Sequence, residues 1–381
     1  MGVISLNVRM KAGSWYECGN VAEVDSPALL IFPDRVEENL RRMIALAGGP
    51  ERLCPHVKTH KLAELVRRQL ALGIRKFKCA TIAEAEMVAA CGLLESTVEV
   101  LLAYQLVGPK VQRFIQLVKQ FPRTDFATIV DDETAIRALS NAAVQADTRL
   151  KVLLDIDCGM HRCGVPAGAR AVELYRLLAT LPGIEPKGLH VYDGHIDDDD
   201  ISVRTKKCEE AFGPVVALRH QLAGLPVPRI VAGGTPTFPI HARRHEVECS
   251  PGTCVLWDAG YGTSCPDLDF LHAALVLTRV VSKPGNNRLC LDLGHKAVAA
   301  EKPHPRVQFL NLPDAQAVTH SEEHLVVETP RAGEFAVGDV FYGVPRHVCP
   351  TVALHAAAVI IKNGNAEGRW QITARNRMLS V

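Results

Sequence analysis

The stretch PHVKTHK, Pro55 to Lys61, sets His56, Lys58, His60 and Lys61 at the end of a short apolar run. A lysine at the C-terminal end of a strand can be partly desolvated, which makes its amine a nucleophile toward an aldehyde. The plain alternative, a solvated surface lysine, stays open on this motif alone. Two later loops add to it. VAGGTPT supplies Gly233, Gly234 and Thr235, and CSPGT supplies Ser250, Gly252 and Thr253. Small residues and hydroxyls let backbone N–H groups approach a phosphate. An amine for an aldehyde and two loops for a phosphate together imply pyridoxal phosphate.

Three further stretches carry reactive side chains. DCGMHRCG holds Arg162, a positive charge for the cofactor's phenolate oxygen or else a solvated turn residue. HVYDGHIDDDD holds Tyr192, Asp193 and His195, candidates for ring stacking and acid–base work; its Asp197–Asp200 run reads as a solvated loop or a helix start. VPRHVCPT places His347 and Cys349 two apart on an expected strand, hence on one face. Imidazole plus thiolate suits Zn²⁺, and two protein ligands leave coordination positions open, as a catalytic ion requires.

The elements that must position these residues alternate. Apolar β-branched runs predict strands at 53–58, 75–80, 98–103, 125–130, 150–156, 186–192, 228–233 and 246–249. Helical periods lie between them. PDRVEENLRRMIALAGG puts Val36, Leu40, Met43, Ile44 and Ala47 on one face and ends at Gly48-Gly49. Thr81 and Glu84 form a capping box before a helix that stops at Gly92. Eight such units predict a (β/α)₈ TIM-type barrel, whose chemistry sits at the C-terminal strand ends and whose phosphate site follows the last two strands. A doubly wound sheet would alternate similarly. From residue 255 the pattern changes to short strands with Gly, Asn and Pro turns and no amphipathic helix. The expected division is 1–30, a strand segment packing with the β-domain; 31–254, the α/β barrel; and 255–381, a C-terminal all-β domain.

The 381 residues are 48% hydrophobic, with 43 Lys+Arg against 42 Asp+Glu. That balance excludes a polyanion-binding protein, so no nucleic-acid partner is expected. The apolar runs are too short to span a membrane, and the N-terminus lacks the pattern of a secretory signal. Its Met-Gly start has Ser5 one position early for myristoylation. Twelve cysteines spread through apolar segments read as reduced thiols in a cytoplasmic protein.

Taken together, PHVKTHK, DCGMHRCG, GLHVYDGH, AGGT and HVCPTVALH resemble, in matching order, the D-threonine aldolase and D-serine dehydratase family, which has the alanine racemase fold (pyridoxal phosphate fold type III). The resemblance implies that Lys58 holds pyridoxal phosphate, with Arg162, Tyr192, Gly234, Thr235, Gly252 and Thr253 around it. It further implies that His347 and Cys349 hold a divalent metal, Zn or Mn. The implied activity is a metal-assisted lyase on D-β-hydroxy amino acids: a D-threonine aldolase, with D-serine dehydratase as alternative, and His195 or Asp193 as base. A homodimer is implied as well. Two positions depart from the aldolases, which show His-x-Asp where this chain has His347-x-Cys349, and a histidine where it has Asp193. A pyridoxal phosphate homeostasis protein would lack the β-domain, and a racemase needs a second base that no motif here identifies.

Overall fold

The computed structural model describes residues 14–92 and 97–381. The Met-Gly start, and residues 1–13 of the expected N-terminal segment, lie outside the described residues. The chain forms two sheets.

The first sheet is parallel, in the order β2 (Lys76–Cys79), β3 (Glu99–Leu102), β4 (Asp125–Val130), β5 (Leu150–Asp157), β7 (Ile184–Val191), β8 (Arg229–Ala232) and β9 (Val247–Cys249), with the short β6 (Val165–Pro166) beside β5. The segment 53–56 closes the curl: Leu53 bridges Cys249 and His56 bridges Lys78, both in parallel. Cys54 N donates to Cys249 O at 2.8 Å, and Lys78 N donates to Pro55 O at 2.9 Å. The result is a curled parallel barrel sheet, and the expected first strand stops at His56, where the chain tightens into a 3₁₀ turn, Val57–Thr59.

Helices α1 (Pro33–Ala47), α2 (Ala63–Ala71), α3 (Ile82–Gly92), α4 (Lys110–Gln120), α5 (Glu133–Gln145), α6 (Ala169–Thr180), α7 (Ile201–Gln221) and the short α8 (Phe238–His241) alternate with these strands. Their boundaries follow local chemistry. Proline at the first position opens α1, where its missing N–H costs nothing, and Gly48 closes it at φ +83°. Thr81 Oγ1 caps α3 by accepting from Glu84 N at 3.1 Å. Asp200, last of the acidic run, caps α7 through Ser202 N and Val203 N.

Period-two alternation sorts the strand side chains into two cores. Val100, Leu102, Phe126, Val152 and Leu154 face outward, in the cluster that also holds the helical Leu40, Met43 and Leu65. Cys54, Leu101, Ala127, Ile129, Leu153 and Val231 form a separate cluster, the plug inside the barrel. By the same alternation the inward residues at the next level, toward the C-terminal strand ends, include His56, Lys78, Asp155 and His190, all buried. An apolar plug therefore carries a polar floor.

The second sheet runs β13 (Gln316–His320), β14 (Leu325–Glu328), β11 (Arg288–Leu291), β10 (Ala274–Gly285), β1 (Ala28–Ile31), β16 (Ala357–Lys362), β17 (Asn365–Gln371), with β15 (Val340–Pro345) on β10 and β12 (Val307–Phe309) on β15. β1 pairs antiparallel with β10 and parallel with β16. This mixed sheet carries two helices where none was expected: α9 (Ala259–Ser264) and α10 (Val348–Leu354). Asp258 starts the first by accepting from Tyr261 N at 2.9 Å. Pro350 sits in the first turn of the second, where proline is tolerated. Both are too short to show a helical period in sequence. None of the twelve cysteines is in a disulfide, and among the described residues no helix is long and apolar enough to cross a membrane.

Candidate active site

Lys58 lies in the 3₁₀ turn after segment 53–56, half-buried, with Lys58 N donating to His56 Nδ1 at 3.3 Å. Across the barrel mouth Tyr192 follows β7 and is likewise half-buried. Three cations surround its ring: the Lys58 ammonium at 5.6 Å from the centroid, Lys78 at 5.4 Å and the Arg162 guanidinium at 5.2 Å. Tyrosine tolerates this because its ring face is electron-rich.

The two glycine-containing loops meet beside this ring. Thr235 Oγ1 accepts from Gly252 N at 3.2 Å and Thr253 N at 3.0 Å, so both N–H groups aim at one acceptor point. A Cβ on Gly252 would come within 3.0 Å of Thr59 Oγ1, and one on Gly234 within 3.2 Å of Tyr192 Cε2. Glycine lets the loops lie this close without displacing Thr59 or Tyr192 by a few tenths of an ångström. Lys58, Tyr192, Thr235, Gly252, His347 and Cys349 line one cavity. Arg162 lines an adjoining one with Lys58, Asp155 and His190.

The metal candidates are adjacent for a different reason from the one expected. β15 ends at Pro345, His347 is the N-cap of α10 and Cys349 lies in its first turn, so a helical turn rather than a strand face brings them together. Burial pulls the His347 imidazole down, but its hydrogen bond with Cys349 and its contact with Glu301 outweigh that and raise it to about 9. Burial pushes the Cys349 thiol up, and the bond from His347 overcomes this to leave it below its ordinary value. The Glu301 carboxylate holds His347 Nδ1, which leaves Nε2 for Cys349. Thr59 Oγ1 and Thr253 Oγ1 flank the Cys349 sulfur at 3.3 and 3.6 Å.

The structure does not bring the two acid–base candidates into this cavity. Asp193 is buried behind Tyr192, where its carboxylate accepts from Thr237 Oγ1 at 2.7 Å and pairs with His241 Nε2 at 2.7 Å. Burial raises it, yet these bonds hold it below the usual carboxylate range. His195 is exposed and packs near Gly159, where a Cβ would come within 2.8 Å of its Nε2. Asp193, Cys208 and His241 have the ligand chemistry of a metal site. Their atoms, however, satisfy one another: Cys208 Sγ lies 3.5 Å from His241 Nε2, and Arg244 Nη1 lies 3.0 Å from His241 Nδ1.

Several residues of the site escape a motif reading. Lys78 is 2% exposed at the end of β2 and lines the same cavity as Lys58. Burial, then the Lys58 charge, depresses its amine to about 8. Its only sequence signal is position: in RKFKCA it has the parity of the barrel interior. Burial, then the nearby lysine charges, keep His56 well below its ordinary value and therefore neutral. Glu301 lies 46 residues before His347 in the chain, and nothing in its surroundings links the two.

The residues present fit both implied groups. For pyridoxal phosphate there is a lysine amine, a flat tyrosine face, paired N–H donors in a glycine cradle and, among the described residues, cations with no ion pair. For a divalent ion there is an imidazole–thiolate pair whose histidine is backed by a carboxylate, the usual arrangement behind a metal-bound histidine. A barrel with its site at the C-terminal strand ends, joined to a mixed β-domain that supplies one wall of that site, defines the class: fold type III pyridoxal phosphate enzymes. Residues 31–259 match the family model "Alanine racemase, N-terminal domain", and residues 273–361 match a serine dehydratase domain. The chain is 33% identical to D-threonine aldolase of an Arthrobacter species, over 93% of this chain and 94% of that one. It is 30% identical to 3-hydroxy-D-aspartate aldolase of Paracoccus denitrificans, over 93% of each. The crystal structure of D-threonine aldolase from Filomicrobium marinum superposes with a TM-score of 0.84 at 30% identity, covering 93% of this chain and 96% of that one. The chain belongs to the alanine-racemase-like family that contains the D-threonine aldolases and D-serine dehydratases.

Proposed function

We propose that this enzyme is a pyridoxal phosphate- and divalent-metal-dependent lyase that cleaves D-β-hydroxy amino acids to glycine and an aldehyde, as a D-threonine aldolase does. One observation carries the reading: the Lys58 amine, the Gly234–Thr235 and Gly252–Thr253 loops and the His347–Cys349 pair share one cavity.

Lys58 is the residue to hold the cofactor's aldehyde, and the N–H groups of Gly252 and Thr253 with the Thr235 hydroxyl are its phosphate donors. Tyr192 offers the ring face and Arg162 the charge for the phenolate oxygen. When bound, pyridoxal phosphate supplies an electron sink for the substrate's α-carbon, and the metal, zinc or manganese, supplies a Lewis acid. His347 and Cys349 would hold that ion in the cavity that Lys58 lines, where it would acidify a substrate's β-hydroxyl. Asp193 keeps Tyr192 and the Thr237 end of the phosphate loop in register. His195, being outside the cavity, serves as base only through solvent.

Purified protein given D-threonine should release glycine and acetaldehyde in equal amounts. Chelation should abolish this and zinc or manganese restore it. Borohydride should trap the cofactor on Lys58, and peptide mapping that finds the label elsewhere, or none, overturns the reading.

Cys349 and the serine dehydratase match over residues 273–361 favour a second reading, conversion of D-serine to pyruvate and ammonia. Release of pyruvate from D-serine, without glycine from D-threonine, would select it. Family likeness also supports a homodimer, measurable by light scattering. A cytoplasmic location accords with the free thiols and is testable by fractionation.

A further inference from the structure

Lys78 has no role in the scheme above. It projects from the end of β2 into the barrel, 2% exposed, and beyond the Tyr192 ring at 5.4 Å its ammonium makes no hydrogen bond or ion pair among the described residues. Of the two carboxylates whose charge favours the Lys78 ammonium, Asp155 is paired with His190 Nδ1 at 2.6 Å and Asp193 with His241 Nε2 at 2.7 Å. A buried ammonium whose one close contact is a tyrosine ring face, with no hydrogen-bonded counter-charge, is unfavourable. A protein keeps such a group where an anion arrives to match it.

The cavity itself narrows the choice of anion. The phosphate loops are neutral and built from N–H groups. Arg162 flanks Tyr192 from the adjoining cavity, which Lys78 does not line. Lys78 instead opens on the side of Lys58 and the His347–Cys349 pair. Lys58 and Lys78 line that one cavity together, so an anion that matches Lys78 there lies beside the amine that meets the substrate. Two anionic oxygens fit that description: the substrate's α-carboxylate and the cofactor's phenolate. Arg162 is available for the phenolate, which leaves the carboxylate.

We propose that Lys78 is the substrate-carboxylate anchor of this site, resting on the cofactor reading above. The amino acid is then held at three points: its amine toward Lys58, its β-hydroxyl toward His347 and Cys349, and its carboxylate on Lys78. Three points on one carbon frame define which enantiomer fits. The lysine also confines the substrates to free amino acids, since an amide or an amino alcohol would leave its charge buried and unmatched.

The test compares D-threonine with its amino alcohol, in which –CH₂OH replaces the carboxylate. Dissociation constants are read from the change in the holoenzyme's visible absorbance, for wild type, Lys78→Met and Lys78→Arg. Wild type should prefer the acid by at least about 30-fold, the loss typical of removing one partner of a buried charge pair. Lys78→Met should bring that ratio close to one by weakening the acid alone, and Lys78→Arg should restore part of it. At a pH where the cofactor is in one protonation state, the absorbance maximum of the substrate-free holoenzyme should be the same in all three. An unchanged ratio in both variants overturns the proposal. So does a shifted substrate-free spectrum with the ratio preserved, which would assign Lys78 to the phenolate. Borohydride trapping on wild-type Lys58 is scored separately. Its failure removes the cofactor reading, whereas its success with an unchanged ratio removes only the role of Lys78.

Discussion

The Lys78 amine, at about 8, lies below its ordinary 10.5 because burial disfavours its charge. Between those values the folded chain binds fewer protons than the unfolded chain, so this residue makes stability rise with pH through that window. At neutral pH the penalty is fully present, at most about 3 kcal/mol. Apo Lys78→Met should therefore be more resistant to urea than wild type near pH 7, with the gain fading by about pH 10.5. A variant no more stable than wild type near pH 7 would contradict the burial cost. Glu301 makes a second residue-scale prediction. Its carboxylate orients His347 through Nδ1, so Glu301→Gln should weaken zinc binding by about 10-fold in equilibrium dialysis.

Elements hold these groups in place through close backbone contacts. Gly188 in β7 has φ +126°, and a Cβ there would lie 1.9 Å from Arg229 O of β8. No rotamer change relieves a clash with backbone. Gly188→Ala should cost more than about 3 kcal/mol, seen as a lower urea midpoint, because it forces apart the strands that lead to Tyr192 and Gly233. Gly252→Ala works on the other scale of distance: its Cβ would press the Thr59 hydroxyl at 3.0 Å. It should leave stability nearly unchanged while lowering the affinity for pyridoxal phosphate, measured by absorbance titration of the apoenzyme.

Across the whole molecule, the cavity needs both sheets. The barrel supplies Lys58, Lys78, Tyr192 and the two glycine-containing loops, and α10 of the β-domain supplies His347 and Cys349. The same closeness makes the site region acid-sensitive. His60 is buried and depressed to about 3, by burial first and then by the Lys61 charge. Below the ordinary histidine value the unfolded chain binds a proton that the folded chain does not. Stability should fall by about 1.4 kcal/mol per pH unit for this histidine as pH drops from about 6 toward 3. Circular dichroism of the apoprotein should show this slope, made shallower by His60→Gln.

Strand ends and glycine loops are local signals, which is why the sequence alone pointed to the barrel strands after the first, to Lys58 and Tyr192 beside strand ends, and to the two glycine-containing loops, whereas the His347–Cys349 pair needed the family resemblance. Each such signal depends on an apolar period or a turn composition within about ten residues. What period cannot show is how far a polar side chain is enclosed by other strands. In sequence Lys78 is a lysine between Phe77 and Cys79, and only the curl of the sheet turns its face inward. Asp193 looked available until His241, 48 residues later, took its carboxylate. Local residue order determined which groups exist and where each element ends. Only the closed fold decided which groups face one another, because burial and pairing are set by chain segments distant in sequence.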